Sequence, residues 1–73
     1  MMGDTMSATK KQVIEDGKRV AGNMYEDGSI DEFYVFGKNL YCLGYNADGY
    51  LTDMWCMGYA KKAAKDYGIN IAI

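Results

Sequence analysis

The spacing of hydrophobic positions changes twice along this chain. Between residues 9 and 24, Val13, Ile14, Gly17, Val20, Ala21 and Met24 recur at helical intervals. Thr9, followed three places later by Gln12, fits the reciprocal cap that satisfies free amides at a helix start. The pattern predicts a helix from residue 9 into the low twenties. Gly17 is its weak point, costing about 1 kcal/mol relative to alanine. A second reading therefore stays open, with the helix stopping near Asp16 and residues 18–25 forming a strand.

The middle third reads as strands punctuated by turns. Glu32-Phe33-Tyr34-Val35-Phe36 is aromatic and branched, which suits a pleated surface. Gly37-Lys38-Asn39 predicts a turn, residues 40–45 a second strand, Asn46-Ala47-Asp48-Gly49 a second turn, and residues 50–57 a third strand. YEDGSIDEF (25–33) and NADGYLTDM (46–54) share an Asp-Gly pair, which is read as one turn chemistry used twice. Residues 59–67 then have high helix propensity, with Gly68 placed to end the helix and lysines suited to its negative end. The helix start is expected near Tyr59, or alternatively near Thr52. Ile69-Asn70-Ile71-Ala72-Ile73 alternates by twos and would form a short last strand.

The expected fold class is α+β: a small three- to four-stranded antiparallel meander with an N-terminal helix and a C-terminal helix packed on one face. Residues 1–8 are expected to be a disordered leader and residues 9–73 a single domain. With two- or four-residue hairpin loops, Tyr34, Phe36, Tyr41, Leu43, Tyr45, Tyr50, Thr52 and Met54 share one side of the sheet. Phe33, Val35, Leu40, Cys42, Leu51, Trp55 and Met57 share the other, with Asp53 at its rim. The second set is apolar and is the expected seat for both helices. The first would leave four tyrosines facing outward, large in area and low in entropic cost to immobilise.

Charge narrows the function. The chain has 73 residues and a net charge of −2, unevenly spread. Residues 1–25 balance at +1, residues 26–57 at −5 and residues 58–73 at +2. An acidic middle suits a basic partner and repels phosphates. There is no apolar run long enough to span a bilayer and no export signal, so a cytoplasmic location without membrane contact is expected. In that setting Cys42 and Cys56 are expected to be free thiols.

Much chemistry is excluded. The chain has no histidine, the commonest general base and metal ligand. No serine, threonine or cysteine has an activating partner at a recognisable spacing, and no glycine run forms a phosphate loop. Two cysteines cannot complete a structural zinc site. YNADGYLTD (45–53) looks like a calcium loop, but aligning Gly49 with the loop's required glycine puts Gly44 first and Trp55 twelfth, neither with a side-chain oxygen. The same test on Gly28 puts Tyr25 third and Tyr34 twelfth. Both stretches are read as turns, and neither enzymatic activity, a metal nor a cofactor is expected.

The function expected is a non-enzymatic protein-binding module, an inhibitor or regulator such as phages carry against host machinery. Tyr34, Phe36, Tyr41, Tyr45 and Tyr50 would supply buried contact on a basic surface of a larger protein. Glu26, Asp27, Asp31, Glu32 and Asp48 would steer the encounter. A homodimer through Ile69–Ile73 is compatible with this.

An alternative comes from layout. Three strands followed by GYAKKAAKDYG resemble plant AP2-type and integrase arm-type DNA-binding domains over about half the chain. The resemblance implies DNA read from the sheet. Those sheets are rich in arginine and lysine, whereas the matching segments here contain only Lys38.

Overall fold

Gly17 divides the first apolar segment in two. In the computed structural model, which describes residues 8–70, helix α1 spans Lys10–Asp16 and strand β1 spans Lys18–Met24. The expected long helix is thus corrected to its shorter alternative. The Gly17 amide donates to the Val13 carbonyl (2.9 Å) and closes the last helical turn, while Gly17 itself is already extended. A β-carbon there would lie 2.4 Å from the Val13 carbonyl oxygen and 3.1 Å from that of Val35. No larger residue fits so close to two backbone segments. The start of α1 is the predicted capping box: Thr9 Oγ1 accepts from the Gln12 amide, and Gln12 Oε1 accepts from the Thr9 amide.

Three further strands follow, β2 (Ile30–Phe36), β3 (Asn39–Tyr45) and β4 (Leu51–Tyr59), and then helix α2 (Ala60–Tyr67). The sheet is an antiparallel meander in the order β1-β2-β3-β4, so the class is α+β as expected. The extra strand is β1 rather than the chain end. Ile69 and Asn70 are not in a strand, and residues 71–73, with the dimer contact assigned to them, lie outside the described residues. So do residues 1–7 of the expected leader; Ala8 packs against the core.

Turn chemistry decides the register. Gly37-Lys38 is a two-residue hairpin with Gly37 at φ +65°, which suits a mirror-type turn and keeps side-chain alternation in step between β2 and β3. The two Asp-Gly loops have one geometry. Tyr25 and Asn46 each donate to the carbonyl four residues on, Gly28 and Gly49 each donate back to the loop's first residue, and both glycines have φ near +90°. Asn46 Oδ1 accepts from the amides of Asp48 and Tyr50, and Asp27 Oδ1 from the amide and hydroxyl of Ser29. These oxygens organise the turns themselves.

The helices take opposite sides of the sheet, which corrects the expectation of a shared one. Val13 of α1 is fully buried with Tyr41 and Leu43, ringed by Tyr34, Phe36, Tyr45, Leu51 and Met54. Ala60 and Ala63 of α2 pack with Phe33, Leu40 and Cys42, flanked by Val20, Ala21, Val35, Met57 and Ile69. The reason lies in β3, whose Leu40, Tyr41, Cys42 and Leu43 are all buried. Apolar residues on both sides of a central strand require a cover on both, and each short helix can supply only one.

The sides are otherwise nearly as predicted. Tyr41 pairs with Tyr34, Leu43 with Met54, and Cys42 with Phe33 and Trp55. Leu51 and Tyr50 are exchanged relative to expectation. An irregularity between the Gly44–Asp53 and Tyr45–Leu51 pairs absorbs Thr52, so Leu51 joins the tyrosine side and Tyr50 stays in the loop. Cys42 and Cys56 are free thiols on opposite sides of the sheet.

Candidate functional site

The meander gives the sheet two unlike ends. At one, α1 runs into β1, β4 runs into α2, and the Gly37-Lys38 turn is tied to the start of α2 by the Ala60 amide donating to the Lys38 carbonyl (2.7 Å). At the other end lie only the two Asp-Gly loops, close enough that a β-carbon on Gly28 would sit 3.2 Å from that of Ala47.

Charge follows this division. All eight lysines and arginines lie on the helices, at the helix end of β1 or in the Gly37-Lys38 turn, with only Glu15, Asp16 and Asp66 among them. Glu26, Asp27, Asp31, Glu32, Asp48 and Asp53 lie in the Asp-Gly loops or on strand residues near them, and among the described residues only Glu32 is ion-paired, with Arg19. Two basic segments far apart in sequence are thereby gathered at one end. The acidic middle forms the other.

The loop end also exposes large apolar side chains, Met24, Tyr25 and Tyr50, of which Met24 and Tyr50 are more than 70% exposed, and Trp55 is exposed midway along β4, opposite Cys42. Tyr50 is a predicted contact residue. Met24, Tyr25, Trp55 and Asp53 were not predicted as contact residues. For Met24, Tyr25 and Asp53 the signal was proximity in sequence to the Asp-Gly turns.

The remaining predicted contact residues divide. Glu26, Asp27 and Asp48 project from the loops, and Asp31 accepts a hydrogen bond from the Tyr25 hydroxyl (2.7 Å). That bond and the carboxylate's charge raise the Tyr25 pKa above the usual phenol value. Glu32 is on the tyrosine side, accepting from Arg19 Nε (2.9 Å) and from the Tyr34 hydroxyl (3.4 Å). Gly22 permits this, since a β-carbon there would meet the Arg19 guanidinium at 2.4 Å. Tyr34, Phe36 and Tyr45 are half-buried around α1, and burial raises the Tyr34 and Tyr45 pKa values. Tyr41 is only 4% exposed, edge-on to Phe36, and cannot reach a partner. The open tyrosine sheet that the alternation implied is therefore occupied by α1. What stays accessible on that side is a hollow of about 270 Å³ between Ile30, Glu32, Tyr45 and Gly49, next to the loop end.

Among the described residues, no group of three or more cysteines, aspartates or glutamates is placed to hold a metal ion. No helix there is long and apolar enough to cross a membrane. Strands β2, β3 and β4 contain no lysine or arginine, and the sheet's cations are Lys18 and Arg19 at the helix end of β1.

Fold and surface together define a small α+β protein with a meander sheet, a helix on each side and opposite charge at its two ends. Comparison of the chain with protein-family models, with curated proteins and with solved structures returned no match in any of the three.

Proposed function

We propose that this protein is a non-enzymatic protein-binding module, an inhibitor or regulator, that docks its acidic loop end on a basic surface of a larger protein. The supporting observation is the coincidence, at one end of the sheet, of six carboxylates, of which only Glu32 is ion-paired among the described residues, and three exposed large apolar side chains, Met24, Tyr25 and Tyr50. Carboxylates steer the approach of a basic partner, and aromatic side chains supply the contact that water leaves on docking. Relative to the contact set expected from alternation, Tyr41 is withdrawn. Tyr34, Phe36 and Tyr45 become margin, and Tyr50 is joined by Tyr25 and Trp55.

The test is affinity purification from the native source, followed by titration of whatever co-elutes against wild type and a Tyr25→Ala/Tyr50→Ala/Trp55→Ala variant. These side chains are exposed, so circular dichroism should show the variant folded. Its affinity is expected to fall by about thirty-fold or more, as for loss of interface anchors. Binding should also weaken with added salt. A partner that binds the folded variant as tightly as wild type rules out this docking end.

A further inference from the structure

The helix end contains a cleft that docking through the loops would not use. Its volume is about 160 Å³, and it lies between Val35, Gly37, Lys38, Tyr59 and Lys61. Three elements converge there: the end of β2, the β2–β3 turn and the junction of β4 with α2. The Ala60–Lys38 backbone bond holds turn and junction together, so the two lysines are presented from a fixed base.

The lining is specific in its chemistry. Val35, Gly37 and the half-exposed ring of Tyr59 give a mostly apolar surface. Lys38 and Lys61 stand beside it. The ion pairs found among the described residues are Arg19–Glu32 and Lys62–Asp66, so neither Lys38 nor Lys61 is neutralised there. Lys18 and Arg19 begin β1 at the same end, and the remaining lysines lie on the helices that join the sheet there, which makes it the attractive end for an anion.

We propose that this cleft binds a nucleotide, with the base against Tyr59 and the phosphate on Lys38 and Lys61. Size and lining select this ligand among anions. The cleft is smaller than the roughly 300–1,000 Å³ of pockets that enclose a drug-sized molecule, so it takes one ring and leaves the rest outside. A flat ring matches the apolar wall and the tyrosine, as in stacking platforms for single strands. A phosphate attached to that ring reaches the lysines at the rim, where ammonium groups act as point charges. The nucleotide comes either free or as the end of a single strand.

The test uses the full chain, titrated separately with adenosine monophosphate, a 5′-phosphorylated octathymidylate, inorganic phosphate and phosphotyrosine, followed by amide NMR shifts. Saturable binding is expected for a nucleotide probe, with shifts confined to Gly37, Lys38, Tyr59 and Lys61. Stronger binding of the octathymidylate assigns the cleft to strand ends, and equal or stronger binding of the monophosphate assigns it to free nucleotides. Tyr59→Ala and Lys38→Ala/Lys61→Ala should each weaken binding by about five-fold or more, with Tyr59→Phe close to wild type. The Tyr59 side chain makes no capping bond to α2, so its removal leaves the helix start intact. Failure of both nucleotide probes to bind overturns the proposal, as does phosphate or phosphotyrosine binding as tightly as they do. Shifts centred on the Asp-Gly loops, or a Tyr59→Ala variant with unchanged affinity, do the same.

Discussion

Truncating Val13 tests the placement of α1 on the tyrosine side more directly than any other change. Val13 is fully buried against Tyr41 and Leu43, whereas its neighbour Ile14 is 42% exposed. Val13→Ala removes two buried carbons, each worth about 0.8 kcal/mol in transfer. The space they leave adds a cavity cost, because the sheet beneath cannot fully close on a short helix. The sum is about 2–3 kcal/mol. A domain of this size is stable by roughly 4–11 kcal/mol, so the loss is a large share of the whole. Urea unfolding followed by far-ultraviolet circular dichroism should show the midpoint falling by about 2 M, for a slope near 1 kcal/mol/M. Heat should lower the Tm by at least about 8 °C. Ile14→Ala, made in parallel, should cost less than half as much, since much of its side chain is already in water. Equal losses at the two positions, or a Val13→Ala midpoint within error of wild type, would refute the seating of α1 on Tyr41 and Leu43.

Other substitutions separate steric from conformational roles. Gly17→Ala must displace backbone at Val13 or Val35 and should cost about 2 kcal/mol or more in urea unfolding. Gly44→Ala meets only ordinary contacts at 3.6–3.8 Å from Asp31, Asp53 and Thr52, and should be neutral or slightly stabilising by the same assay. Thiol labelling should modify Cys56 at once in the native protein and Cys42 only on unfolding, because Cys42 is buried and Cys56 exposed. Burial, followed by the charge of Asp31, pushes the Cys42 pKa up to about 11. Its neutral form is thus favoured by folding: the contribution is intact below the ordinary thiol range and is lost as pH rises towards about 11. Unfolding midpoints of wild type should therefore fall over that alkaline interval more steeply than those of Cys42→Ala.

Much of the sheet was legible because alternation and turn chemistry agree from Ile30 to Tyr45, where a two-residue turn keeps the sides in step. The echo of the two Asp-Gly segments was also readable as one turn used twice, since Asp, Asn and Gly each have a stated role in such loops. The division at Gly17 was visible only as an alternative, because Val20, Ala21 and Met24 satisfy a helical spacing and a strand equally well. The sides taken by the helices were not read, although the unbroken apolar run Leu40-Tyr41-Cys42-Leu43 carried the signal. A strand buried on both sides loses the polar half of its alternation, and that loss calls for two covers. Tyr50 and Leu51 were exchanged because a bulge leaves no mark in composition. For the candidate site, Glu26, Asp27, Asp48 and Tyr50 were singled out in the sequence and lie in the Asp-Gly loops. Trp55 and Tyr25 emerged only when the extent of α2 showed which part of its side stays bare.

The sorting of charge by the meander means that the net value of −2 describes neither end of the molecule. Seven-residue strands hold the ends about 20 Å apart, more than twice the Debye length of about 8 Å in physiological salt. An approaching molecule therefore feels one pole and is nearly blind to the other. The same chain should be retained on a cation-exchange resin through its lysines and on an anion-exchange resin through its loops.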